Sequence, residues 1–252
     1  MDSLTLRTRS ASEIADAAIN LYRSNARLML VIGATLTLPI MILFVLFTPH
    51  SSDQRSEAMV LRVVLAMVGA LWGGISAGAL TFAASERYLG RDVTANRAIA
   101  SALSRPFPLA FGVLARWLLI GAGMALLLVP GAYAFIFSFA MTPAIMLEGR
   151  GVNAGWLRSR ELVRGMKAHV FGALLIAYLV FFVVFITVGF MLGAIIFGAN
   201  ERALQVLQSA VQVLVWPFVI TTETLLFYDL RIRKEGFDIE HMAAGLAPVK
   251  AL

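Results

Sequence analysis

The chain contains no cysteine and only three histidines, and charged residues make up just 14% of its 252 positions. Without cysteine there is no disulfide, no thiolate nucleophile and no sulfur-ligated metal site. The histidines, His50, His169 and His241, lie far apart and H-E-x-x-H is absent, so no metal motif or cofactor site is readable. The shortage of charge is the more decisive lack. Soluble domains carry about 25% charged and about 45–50% apolar residues, whereas this chain is 60% apolar. Such an excess needs lipid as its solvent and excludes a soluble enzyme. The net charge of +6 could suggest nucleic acid as a partner. That partner is excluded because the basic residues come in short clusters between apolar runs, as loop charges that orient a membrane protein do.

Uncharged runs cover Leu28 to Ser52, Val63 to Ser85, Trp117 to Leu147, Ala168 to Asn200 and Ala203 to Thr222. Each is long enough to cross about 30 Å of hydrocarbon at about 1.5 Å per residue, and only a helix satisfies its own backbone there. The third run has Pro130 and Gly131 near its middle, and the ten residues before Arg116 are also uncharged. A hairpin turning at Val129-Pro130-Gly131 gives six spans, and one long helix gives five. The positive-inside rule chooses six: every Lys and Arg except Arg55, Arg62 and Arg202 then falls on one side, with both termini cytoplasmic. The expectation is an all-α integral membrane protein, a six-span helical bundle forming one membrane domain over 1–252. Its spans are about 28–48, 63–85, 109–129, 131–147, 170–195 and 204–228. The first apolar run follows a polar stretch with no small-residue cleavage site behind it, so it reads as a retained anchor.

Three short amphipathic helices are expected on the cytoplasmic side, at 10–25, 94–103 and 153–164. The first opens on a capping-box pattern, Ser10 and Glu13, and then spaces Ile14, Ala18, Leu21 and Tyr22 helically. The second offers Ala95, Ile99 and Leu103, and the third Trp156 and Val163. Flanking arginines suit these faces to an inner leaflet of anionic phospholipid. Each precedes an odd-numbered span, which suggests a unit of surface helix plus helical hairpin used three times.

The stretch Val129-Pro130-Gly131-Ala132-Tyr133 is followed by Thr142-Pro143-Ala144-Ile145-Met146-Leu147-Glu148-Gly149 and by Ser159-Arg160-Glu161-Leu162-Val163-Arg164-Gly165. After the last span comes Tyr228-Asp229-Leu230-Arg231-Ile232-Arg233-Lys234-Glu235-Gly236-Phe237-Asp238. Together, over roughly Leu109 to Asp238, they resemble the bacterial integral-membrane domain attached to some glycerophosphoryl diester phosphodiesterases, and its stand-alone relatives. The resemblance implies a helical bundle in the bacterial cytoplasmic (inner) membrane. The catalytic barrel that carries phosphodiesterase activity in that family has no counterpart in this chain, so hydrolysis is not implied.

Gly74-Ile75-Ser76-Ala77-Gly78 matches G-x-S-x-G, but a nucleophile elbow needs a strand, a turn and a helix, and these residues sit inside an apolar run. Gly69 with Gly73, Gly74 with Gly78, and Gly189 with Gly193 read instead as small pairs for close helix packing. No catalytic constellation is present, and a non-enzyme is expected. The leading reading is a scaffold or accessory protein that binds partner proteins or lipid at its cytoplasmic face. The alternative is a transporter or lipid-handling protein using a polar site of Arg116, Thr221, Thr222, Glu223 and Thr224. Depth matching along spans three and six puts Arg116 and Glu223 at one level, which suggests a buried pair. Snorkelling of Arg116 with a protonated Glu223 is the competing arrangement. A cavity reaching this level would favour ligand handling, and a solid bundle scaffolding.

Overall fold

The computed structural model describes residues 7–47, 55–195 and 201–237. Among these there is no strand, and six segments are long and apolar enough to cross a membrane. The protein is an all-α, multi-pass helical bundle. In chain order it runs α1 (Ala11–Ser24), α2 (Ala26–Phe47), α3 (Arg55–Tyr88), α4 (Ala95–Leu103) and α5 (Pro106–Leu126). It continues through α6 (Leu128–Ser138), α7 (Met141–Leu147), α8 (Val152–Val163), α9 (Lys167–Ile195) and α10 (Glu201–Glu235). The spans are α2, α3, α5, α6 with α7, α9 and α10. With 34 and 35 residues, α3 and α10 are about 50 Å long at about 1.5 Å per residue, so both outrun the hydrocarbon.

The hairpin after the third span turns at Leu127, three residues earlier than the Pro-Gly pair suggests. Leu127 is extended, at φ −168° and ψ 158°, and links α5 to α6. Pro130 therefore falls in the first turn of α6, where its missing N–H would have had no intrahelical partner. The two arms close on facing glycines: a Cβ on Gly123 would lie 2.8 Å from the Gly131 backbone. The fourth span is also discontinuous. Pro143 cannot donate to the Phe139 carbonyl, so α6 stops at Ser138 and α7 begins at Met141. The break frees the Ala140 N–H, which donates to the buried Ser159 hydroxyl of α8 at 3.1 Å.

The three surface helices form close to their expected bounds; the apolar face of α1 turns into the protein, while α4 leaves Leu103 exposed. In α1 the capping box is complete: Glu13 N–H donates to Ser10 Oγ, and Ser10 N–H to the Glu13 carboxylate. Ile14, Ala18 and Leu21 are buried against α9 and α10, each of the two large side chains contributing about 1.5–3 kcal/mol if drawn from water. Val163 of α8 is fully buried, and Ile99 and Trp156 are half-buried. Each surface helix packs chiefly on the closing helix of a hairpin: α4 on α3, α8 on α7, and α1 on α10. The first unit thus completes a ring with the last.

Two apolar cores result. One joins α1, α8 and α9 to α10, and the other joins α2, α3, α4 and α5, with α7 contributing to both.

Candidate functional site

The prolines in α2 and α10 open the inner surfaces of the bundle. Pro39 and Pro217 remove the donors for the Thr35 and Val213 carbonyls, and the neighbouring carbonyl of each helix is then taken by a side chain. Trp72 Nε1 donates to the Leu36 carbonyl at 2.5 Å, and Tyr22 Oη to the Leu214 carbonyl at 2.7 Å.

Six residues beyond Pro217, under two turns along the helix, α10 presents Glu223 to α5. Arg116 meets it in a bidentate pair, Nη1 to Oε2 at 3.0 Å and Nη2 to Oε1 at 2.6 Å. The side chains are 7% and 2% exposed. The pair expected from depth matching therefore forms, and Arg116 does not snorkel out. Tyr178 of α9, which sequence reasoning missed, donates to Glu223 Oε1 at 3.2 Å and accepts from Arg116 Nη2 at 3.5 Å. Phe135 of α6 lies under the guanidinium, 5.9 Å from its centroid, and edge-on to Tyr178. Four helices thus converge on one ion pair whose net charge is zero. Arg116 Nε is buried with no hydrogen-bond partner among the described residues.

The threonines beside Glu223 do not join this cluster. Thr221, Thr222 and Thr224 donate to the carbonyls of Pro217, Phe218 and Ile220 in their own helix, at 2.7, 3.0 and 2.8 Å. In a helix from which water is excluded, such back-bonding satisfies the hydroxyl at no distance from its own backbone.

Arg116 and Tyr178 form part of the wall of a cavity of about 350 Å³, with Gly73, Thr142, Gln212 and Trp216. A second cavity of about 300 Å³, between α2, α3 and α10, adjoins it: Gly69, Gly73, Gln212 and Trp216 are common to both walls. The expected glycine pairs thus divide. Gly74 and Gly78 are pressed against α5, where a Cβ would lie 2.4 Å from the Leu109 carbonyl oxygen and 2.5 Å from the Leu109 side chain. Gly69 and Gly73 line the cavities, and a Cβ at Gly73 would meet nothing within 4 Å. Gly189 likewise faces open space, and the surroundings of Gly193 lie outside the described residues. Ser76 sits within unbroken α3, without the turn that a nucleophile elbow requires.

At the end of the bundle where the basic residues gather, two ionic clusters brace the frame. Arg158 is held by Glu148 (Nη2 to Oε1, 2.8 Å) and Glu235 (Nη1 to Oε1, 2.5 Å), joining α7, α8 and α10. Burial opposes its charge, but the bonds to Glu235 and Glu148 outweigh this and raise its pKa further. Asp229 accepts from the Arg9 N–H at 2.7 Å and from Arg233 Nε at 2.7 Å, and its Oδ2 lies 2.8 Å from His169 Nε2. His50 and His241 lie outside the described residues. Among the described residues no group of His, Asp and Glu could hold a metal ion.

Comparison with known proteins returns no matching family model, no matching curated protein and no matching solved structure.

Proposed function

We propose that the protein handles an amphiphilic ligand inside the membrane, as a lipid-handling protein or transporter, and is not an enzyme. One observation carries this reading: Arg116 and Tyr178, the two residues that hold Glu223, border a cavity of about 350 Å³ instead of being sealed in solid packing. Ligand sites within bundles are concave and mostly apolar, with a few convergent polar groups, and an intramembrane ionisable pair is a functional candidate by default. Because Glu223 already neutralises Arg116, the site suits a ligand whose head is uncharged and hydrogen-bonding, such as a hydroxyl or ester, more than a free anion. Its apolar part would run past Gly73 and Trp216 into the adjoining cavity.

The basic clusters support a bacterial cytoplasmic-membrane location with both termini inside. Kinship with the membrane domains attached to phosphodiesterases stays part of this proposal. What supports it is that the motif segments around Glu148, Arg158 and Glu235 meet at the basic end.

The test is purification in native lipid followed by mass spectrometry of bound small molecules, comparing the wild type with Gly73→Leu, which fills the cavity where space exists. An amphiphile retained by the wild type and depleted in the variant is expected. Equal retention by both would overturn the reading. A protein partner at unit stoichiometry with no bound amphiphile would return the scaffold reading expected from the sequence.

A further inference from the structure

A third concavity lies on the outside of the bundle, between α5, α6 and α8. It encloses about 460 Å³ and is walled by Leu119, Val129, Tyr133, Phe137, Trp156 and Arg160. Leu119, Val129 and Tyr133 are exposed on a surface that a bilayer would cover. From Val129 to Phe137 the groove follows eight residues of helix, about 12 Å, which is within the reach of one leaflet. One end is apolar: the α5–α6 turn, Leu126 to Val129, carries only large exposed aliphatic side chains. The other end is cationic. The Arg160 guanidinium lies 5.8 Å over the Trp156 ring. The Lys167 ammonium stands 4.8 Å over Tyr133 and 5.6 Å over Phe137, and donates to the Tyr133 hydroxyl.

Neither cation has a carboxylate within 4 Å among the described residues, although Arg150, Arg158, Arg231 and Arg233 nearby are all paired with acids. The rings hold the two charges beside the groove without neutralising them, since a ring face attracts a cation but carries no net charge. Two fixed, uncompensated positive charges at one end of a chain-sized apolar groove match a lipid with an anionic head.

We propose that this groove binds one acyl chain of an anionic phospholipid, with its phosphate held by Arg160 and Lys167. The site is separate from the internal cavity, and the two proposals fail independently.

The experiment is native mass spectrometry of the intact protein in neutral detergent, titrated with phosphatidylglycerol or phosphatidylcholine. Expected is one tightly bound phosphatidylglycerol and much weaker binding of phosphatidylcholine. Arg160→Gln with Lys167→Gln should weaken phosphatidylglycerol by about 30-fold, from two cations each acting near the headgroup. Arg150→Gln with Arg164→Gln, which removes the same charge elsewhere on that end, should leave binding within about twofold. A variant that keeps both cations, Ala134→Phe, fills the groove and should also expel the lipid. Gly73→Leu should leave phosphatidylglycerol binding unchanged. Equal binding of both lipids, undiminished binding in either groove variant, or displacement by millimolar inorganic phosphate would each overturn the proposal. The last of these would identify a free-anion site in place of a lipid site.

Discussion

Removing one member of the Arg116–Glu223 pair should destabilise the bundle more than removing both. At 7% and 2% exposure the two side chains are almost wholly out of solvent, and the bonds at 2.6 and 3.0 Å satisfy two guanidinium donors and both carboxylate oxygens. Arg116→Leu strands a buried carboxylate and Glu223→Leu a buried guanidinium, and either change costs about 3–5 kcal/mol. For a chain of this size about 2–4 °C of Tm corresponds to each kcal/mol, so each single variant should unfold about 6–20 °C earlier. The double leucine variant removes both desolvated charges and should return to within about 2 kcal/mol of the wild type, or exceed it. Unfolding in neutral-detergent micelles or nanodiscs, followed by far-ultraviolet circular dichroism, gives the four corners of the cycle. Strictly additive losses would refute the pairing. Single losses under about 1 kcal/mol would show that water reaches the charges and that their burial has been overestimated. The double variant is also the instrument for function: it should fold while losing the polar end of the proposed ligand site.

Four further outcomes follow from contacts elsewhere. Gly74→Ala drives a methyl to within 2.4 Å of the Leu109 carbonyl oxygen and should cost about 1–3 kcal/mol, whereas Gly189→Ala, facing open space, should be neutral or gain up to about 1 kcal/mol of helix propensity; thermal scans compare the two. Ser10→Ala should cost about 1 kcal/mol by uncapping α1. The Ser10 N–H, followed by Arg7, holds the pKa of Glu13 down at about 2, so its stabilisation is complete above about pH 4.5 and fades as pH falls toward 2, and the gap between wild type and Glu13→Gln should shrink over that range. Arg158→Met should cost about 1–3 kcal/mol by removing the cation that joins Glu148 to Glu235 and leaving them only Arg150 and Arg231, and Arg158→Lys should recover only part of it because an ammonium cannot fork to both; a full rescue by lysine would show that charge alone matters there.

The spans were legible because charge interrupts apolar runs, and the six-span choice because arginines cluster between them. The ion pair was legible too, since two opposite charges placed six residues inward from span ends share a level. Tyr178 was not: one tyrosine in a long apolar helix carries no sign of which helix its hydroxyl faces. The same holds for Ser159, which fills the break at Ala140, and for Asp229, which gathers Arg9, His169 and Arg233 from three parts of the chain. The threonines of α10 misled because composition records a hydroxyl but not its partner, and here each partner is the preceding turn. The surface helices were found by their periodicity, yet amphipathicity does not say whether an apolar face meets lipid or protein. Long helices α3 and α10, running beyond the hydrocarbon, supplied the protein surface for α4 and α1, and α7 supplied it for α8.

The packing of α1 on α9 and α10 sets a timetable for the ribosome. The buried face of Ile14, Ala18 and Leu21 is made about 150 residues before α9 begins and about 200 before the part of α10 that it meets. At synthesis rates of about 5–20 residues per second, that helix waits about 10–40 s with its apolar face uncovered. On the cytoplasmic side we propose for it, anionic lipid would give α1 a resting place during the interval, so the amphipathic pattern would serve the unfinished chain before the finished one. A nascent chain arrested before Val206 should leave α1 on the bilayer surface, open to protease, and release of the arrest should bury it.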